Sequence, residues 1–210
     1  MIVKVENITK AFGEHVILKD FSVDIEENSF TVIYGESGCG KSTLLNIIGL
    51  LEPINAGHLE LFHQRDVKPF SKKAEKLLRD KIGYLFQNFA LEDEETVETN
   101  LKIVLENRKI KKYVQKQMIH DALCKVGLEN YEKKKIFECS GGEQQRISIA
   151  RLLLKPCELV LADEPTGNLD EKNKRIVFSL LKELQHQGKT LVVVTHDPEL
   201  RELGDHILSL

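Results

Sequence analysis

An α/β fold, with a parallel sheet covered on both faces and a helical stretch inserted into it, is predicted by three features of the sequence. Uninterrupted apolar runs at 159–162 and 191–194 read as fully buried strands, and they alternate with helical segments. A glycine-rich turn at 35–40 separates a strand over 30–34 from an apolar helix expected at about 41–51. Between about 88 and 139, apolar residues recur at helical spacing, a texture foreign to the strand-rich segments on either side.

The elements follow in order. The first 35 residues alternate with period two, predicting strands at 2–8, 21–26 and 30–34 joined by polar turns such as Glu27-Asn28. Short strands are expected at 57–62 and 81–86. Val97, Leu101, Val104 and Leu105, then Val114, Met118, Ala122 and Val126, mark two amphipathic helices joined by the basic stretch 108–112. A third helix is expected from Gly141 to Leu154, followed by the strand 159–162, a helix at about 171–187, the strand 191–194 and a final strand at about 206–210.

The bulk properties narrow the class. A chain of 210 residues, with 41% hydrophobic and 30% charged residues, suits one folded domain over 1–210. The 30 Lys and Arg against 33 Asp and Glu leave a net charge of -3. That balance supplies no electrostatic case for nucleic acid, and no nucleic-acid partner is expected. Cys39, Cys124, Cys139 and Cys157 form no CxxC pair and read as reduced thiols rather than a disulfide framework or zinc site. No stretch approaches the 18 or so apolar residues of a membrane span, so a cytoplasmic location is expected.

The chemistry begins at Gly35-Glu36-Ser37-Gly38-Cys39-Gly40-Lys41-Ser42-Thr43, which matches the phosphate-loop pattern between a strand and a helix. Its backbone N–H groups can form an anion nest, reinforced by the dipole of the following helix. Lys41 can reach the β- and γ-phosphates of ATP, and the Ser42 hydroxyl can ligate Mg²⁺. About 120 residues later, an apolar strand ends in Asp163 and Glu164. Asp163 is placed to hold Mg²⁺ through water, and Glu164 to orient the attacking water. The run Ser140-Gly141-Gly142-Glu143-Gln144-Gln145-Arg146 offers a second anion site, with a hydroxyl, glycine N–H groups and a helix start facing one way.

That last segment resembles the signature of the ABC ATPase family, and the resemblance covers nearly the whole chain. It implies a P-loop NTPase core with a parallel sheet, an N-terminal antiparallel β subdomain and a helical subdomain at about 88–139. It further implies a homodimer sandwiching two ATP molecules head to tail, with Ser140 and Gly142 serving the partner's nucleotide. By the same resemblance, Gln87 approaches Mg²⁺, His196 contacts the γ-phosphate, Phe12 stacks on adenine, and Asn168-Leu169-Asp170 crosses the dimer interface. The chain looks most like the lipoprotein-releasing, macrolide and bacteriocin export ATPases. A separate transmembrane permease would then hold it at the inner face of the cell membrane. A soluble ABC ATPase of the cluster-assembly type is the alternative. The family's leading Leu is Cys139 here, and closure of the sandwich would bring it near the partner's Cys39, where oxidation could cross-link the pair. His15, His58 and His120 read as surface residues.

Overall fold

The computed structural model of the chain describes residues 1–106, 108–167 and 169–210. Five strands form an all-parallel sheet: β3 (Phe30–Tyr34), β6 (Ile82–Leu85), β7 (Leu159–Asp163), β8 (Thr190–Thr195) and β9 (His206–Ser209), in the order β6-β7-β8-β3-β9. A second, antiparallel sheet joins β1 (Val3–Phe12), β2 (His15–Ile25), β4 (Ala56–Leu61) and β5 (Gln64–Arg65) in the order β2-β1-β4-β5. The helices are α1 (Lys41–Ile48), α2 (Lys72–Asp80), α3 (Val97–Lys102), α4 (Lys112–Lys125), α5 (Gly141–Leu154), α6 (Glu171–His186) and α7 (Pro198–Glu202). No described helix is long and apolar enough to cross a membrane.

The parallel sheet divides two cores, because successive strand residues point to opposite faces. Val32, Leu85, Val160, Ala162, Leu191 and Val193 pack on one side with α3, α4, α5 and α6. Ile33, Ile82, Tyr84, Leu161, Val192 and Val194 pack on the other with α1 and the antiparallel sheet. Both faces are thus covered, as the uninterrupted apolar runs require.

Four differences from the sequence reading have local causes. Strand β2 starts at His15 rather than 21, since register shifts in its pairing with β1 break the simple alternation. Asn7 and Asp20 adopt φ of 49° and 50° there, and Ser22 donates to the Asn7 side chain. Helix α1 ends at Ile48, capped by Gly49, instead of reaching 51. Helix α2 escaped the reading because its charged sequence buries only Ala74 and Leu77. The five-residue α7 is too short to generate a period, although Asp197 caps it and Pro198 opens it.

Candidate functional site

Four chain segments emerge together at the carboxyl ends of neighbouring parallel strands, where ligands of open α/β sheets bind. They are the glycine loop after β3, Gln87 beyond β6, Glu164 after β7 and His196 after β8. Between them opens a cleft of about 480 Å³ lined by Ile17, Ser37, Gly38, Gly40, Lys41, Ser42, Thr43, Gln87, Glu164 and His196. Gln87 also lines an adjoining hollow together with Asp163 and Gln144.

The loop's shape depends on glycine at Gly40, which has φ 101° and lies against Ile17 of β2. Lys41 is buried at 7% exposure, and its ammonium donates to the carbonyls of Gly35 and Glu36 at 2.9 and 2.7 Å. These two residues therefore steady the lysine and do not themselves line the cleft. Ser42 donates to Asp163 Oδ1 at 3.0 Å. Burial pushes the Asp163 carboxyl upward, the Ser42 hydrogen bond opposes it, and the neighbouring Glu164 charge adds to the rise.

Glu164 adopts a left-handed backbone, φ 45°. Its carboxylate accepts from Thr195 Oγ1 at 3.2 Å, from the His196 backbone N–H at 3.4 Å and from His196 Nδ1 at 2.8 Å. A carboxylate fixed on the wall of an anion-binding cleft can orient a water and take its proton.

Ser140 caps α5: its hydroxyl accepts from the Glu143 backbone N–H, and Glu143 accepts from the Ser140 N–H at 2.7 Å. The hydroxyl proton stays available for an outside acceptor. Gly142 is buried against the Asn173 side chain of α6, which any side chain at 142 would have to displace. Asn173 in turn binds both carboxylate oxygens of Asp170, at 2.8 Å each.

Residues 18–167 match the ABC transporter family. The chain belongs to that family. It is 36% identical over its whole length to the macrolide export ATP-binding/permease protein MacB of Pasteurella multocida, covering 33% of that protein. The MacB of Campylobacter jejuni is 38% identical, with 98% of this chain covering 32% of it. The cassette thus spans about a third of the length of these relatives. An uncharacterized ABC transporter ATP-binding protein of Bacillus subtilis, YvrO, is 36% identical over 97% of this chain and 91% of its own. Among solved structures, the dimeric form of MJ0796, described as a bacterial ABC transporter cassette, superposes with a TM-score of 0.91 at 36% identity, covering 99% of this chain and 94% of that one. The same protein in a post-hydrolysis state, bound to ADP and Pi, gives 0.90. Nucleotide binding follows from the family.

The remaining expected site residues lie around or beside the cleft. Phe12 lies at the tip of the β1–β2 hairpin, half exposed, with the Lys10 ammonium 4.4 Å from its ring centre. Ile17, from the same hairpin, lines the cleft. Asp170 is the N-cap of α6, and Asn168 lies outside the described residues. Cys39 is outside the cleft lining, its sulfur 4.0 Å from the Lys41 ammonium. The structure gives the expected cross-link between Cys39 and Cys139 no support. Cys139 is 6% exposed, its thiol donates to the Lys135 carbonyl, and burial pushes its pKa up, which makes an inert thiol.

The sequence reading also missed the residues that tie α5 to the two loops beside the cleft. Ser148 and Arg151 donate to the Phe89 carbonyl, at 3.0 and 2.9 Å, and Arg151 also to that of Ala90. Gln145, buried, donates to the Pro165 carbonyl at 2.7 Å. In the sequence these are ordinary polar positions of an amphipathic helix, so no signal marked them.

Proposed function

We propose that this cassette binds Mg²⁺–ATP in the cleft and hydrolyses it between two copies of the chain arranged head to tail. Hydrolysis would energise export or membrane extraction of a peptide, lipoprotein or drug-like substrate through a separate transmembrane permease. The observation that carries the reading is Glu164, its carboxylate held by Thr195 and His196 on the wall that Lys41 and Ser42 share.

In this scheme the glycine loop, from Gly35 to Thr43, cradles the phosphates, and Lys41 leaves its own loop carbonyls for the β- and γ-oxygens. Ser42, Asp163 and Gln87 offer only oxygen ligands, the donor set that suits Mg²⁺. The ion, when bound, would neutralise charge developing on the phosphate oxygens. Glu164 takes a proton from the attacking water, and His196 contacts the γ-phosphate. The exposed ring of Phe12 stacks on adenine. Ser140 and the N–H groups of the first turn of α5, Gly142 included, serve the nucleotide of the partner copy, and the segment at Asp170 crosses between the two.

The dimeric form of the MJ0796 cassette supports the sandwich, and the joined ATP-binding and permease functions in the MacB name support a membrane partner. The helical subdomain at 88–139 of a single domain over 1–210 would dock that partner, holding the chain at the inner face of the cell membrane. Glu164→Gln should cut hydrolysis about 10²–10⁴-fold while sparing ATP binding. Unchanged turnover would remove Glu164 from its role. The same variant, loaded with Mg²⁺–ATP, should retrieve a polytopic membrane protein from detergent-solubilised membranes, and recovery of soluble proteins alone would overturn the transport role.

A further inference from the structure

Away from the cleft, the described residues contain one cluster of side chains suited to a metal ion, at the end of α4. His120 and Cys124 are one helical turn apart, so their side chains share a face. Glu129, in the loop beyond, brings a carboxylate, and the ligand atoms of all three lie within 4.8 Å of one another. Cys124 Sγ is 3.6 Å from His120 Nε2. Zinc bonds of about 2.3 Å to sulfur and 2.0–2.1 Å to nitrogen, at a tetrahedral angle, separate the two ligand atoms by about 3.5–3.6 Å. The His–Cys pair is therefore already spaced for one ion.

The other ring nitrogen is also engaged. His120 Nδ1 is 2.8 Å from Oε1 of Glu132. An ionised carboxylate only accepts, so in the neutral ring Nδ1 carries the proton and Nε2 turns its lone pair toward Cys124. A carboxylate behind a histidine in this way orients metal-bound imidazoles generally. Solvent reaches the group: the His120 side chain is 39% exposed, and Cys124 and Glu129 are exposed. Thiolate plus imidazole selects zinc-like ions over Mg²⁺, which separates this cluster from the oxygen donors of the cleft.

We propose that His120, Cys124 and Glu129 form a divalent-metal site, best matched to zinc, with Glu132 positioning the imidazole. The fourth ligand would be water. An ion here pins the end of α4 to the loop that follows. That loop already pairs with α3, through the Glu132 and Lys134 carbonyls accepting from the Glu98 and Val97 N–H groups at 2.9 Å each. The metal would thus brace α3, α4 and their connection as one unit. The site stands independently of the transport reading.

Cobalt(II) titrated into the full reduced chain tests it, because cobalt reports a bound thiolate by a near-ultraviolet charge-transfer band. One equivalent should produce that band together with intense visible bands of tetrahedral coordination, and zinc should abolish both. Cys124→Ser should remove the charge-transfer band, and Glu132→Gln should weaken binding about 10–100-fold without removing it. Cys124 is exposed and Glu132 half-buried, and unchanged circular dichroism would establish that the variants fold. A hydrogen bond between Cys124 and His120 with no metal affinity predicts no band in the unmodified chain. That outcome, or a band that persists in Cys124→Ser, would overturn the proposal.

Discussion

Glu164 holds a backbone conformation that costs a non-glycine residue about 1–3 kcal/mol, and it lies where the chain turns out of β7 into the cleft. Such strain persists only when the surroundings over-determine it, and the donors around the carboxylate supply that constraint. Thr195 is the informative one. It is fully buried, donates to Glu164 and accepts from the Asp197 N–H at 3.0 Å. We expect Thr195→Val to lower kcat about 2–10-fold, the worth of a lost hydrogen bond or two, with the KM for ATP unchanged. Thr195→Ser should restore the rate, and a matching rise in KM would mean the threonine merely supports the fold. Glu164 was proposed from the sequence as an acid closing an apolar strand, and His196 only through the family resemblance. Thr195 was not, since a threonine closing a β-strand is what strand propensity alone would supply.

Helix α5 shows how one element does two jobs. Its start is a capping box, Ser140 with Glu143, and the spacing was present in the sequence. What the spacing did not reveal is the number of groups gathered on Glu143. Partial burial pushes this carboxyl upward, but hydrogen bonds from Tyr131 and Ser140 and the charge of Lys134 outweigh it and hold the pKa at about 2, below the ordinary 4.5. A depressed carboxyl stabilises the fold fully above its unfolded value, and the contribution is lost as pH falls from 4.5 toward 2. Denaturant midpoints measured across that window should fall less steeply for Glu143→Gln than for the parent chain. Parallel slopes would show that the box contributes nothing to acid sensitivity.

The far end of α5 anchors the segment after Gln87. Phe89 and Ala90 take φ of 61° and 49°, and their carbonyls are met by the Arg151 guanidinium, whose pKa burial pushes down. Arg151→Ala should cost about 1.5–3 kcal/mol in chemical denaturation, since it removes charged hydrogen bonds to both carbonyls and leaves Phe89 with Ser148 alone. It should also slow hydrolysis by loosening Gln87. Lysine at the same position should recover only part of the stability, lacking the planar fork.

At the scale of the molecule, the parallel sheet sets the site, and the start of the signature helix stays outside the cleft lining. No signature residue from Ser140 to Glu143 is among those lining the cleft. The composite site proposed above therefore calls for a second copy, and a two-fold arrangement would complete both sites at once. Glu164→Gln should shift from monomer to dimer in size-exclusion chromatography when Mg²⁺–ATP is added, but not with ADP. A monomer under both conditions would remove the sandwich.

The sequence by itself determined the parallel sheet, the phosphate loop, the acidic strand end and the signature helix. Each is written in local pattern: apolar runs, glycine spacing, a strand-to-helix turn. Helix α5 and the strands of the parallel sheet were placed to within a residue or so at each end. Only the tertiary structure decided which long-range partners surround the chemistry. Thr195 beneath Glu164, Arg151 on the Phe89 carbonyl, Asn173 filling the space at Gly142 and Ile17 beside Gly40 on the cleft wall all join residues far apart in the chain. Local pattern carries backbone propensity and burial. It holds no record of which distant groups the packed core brings within a hydrogen bond of one another.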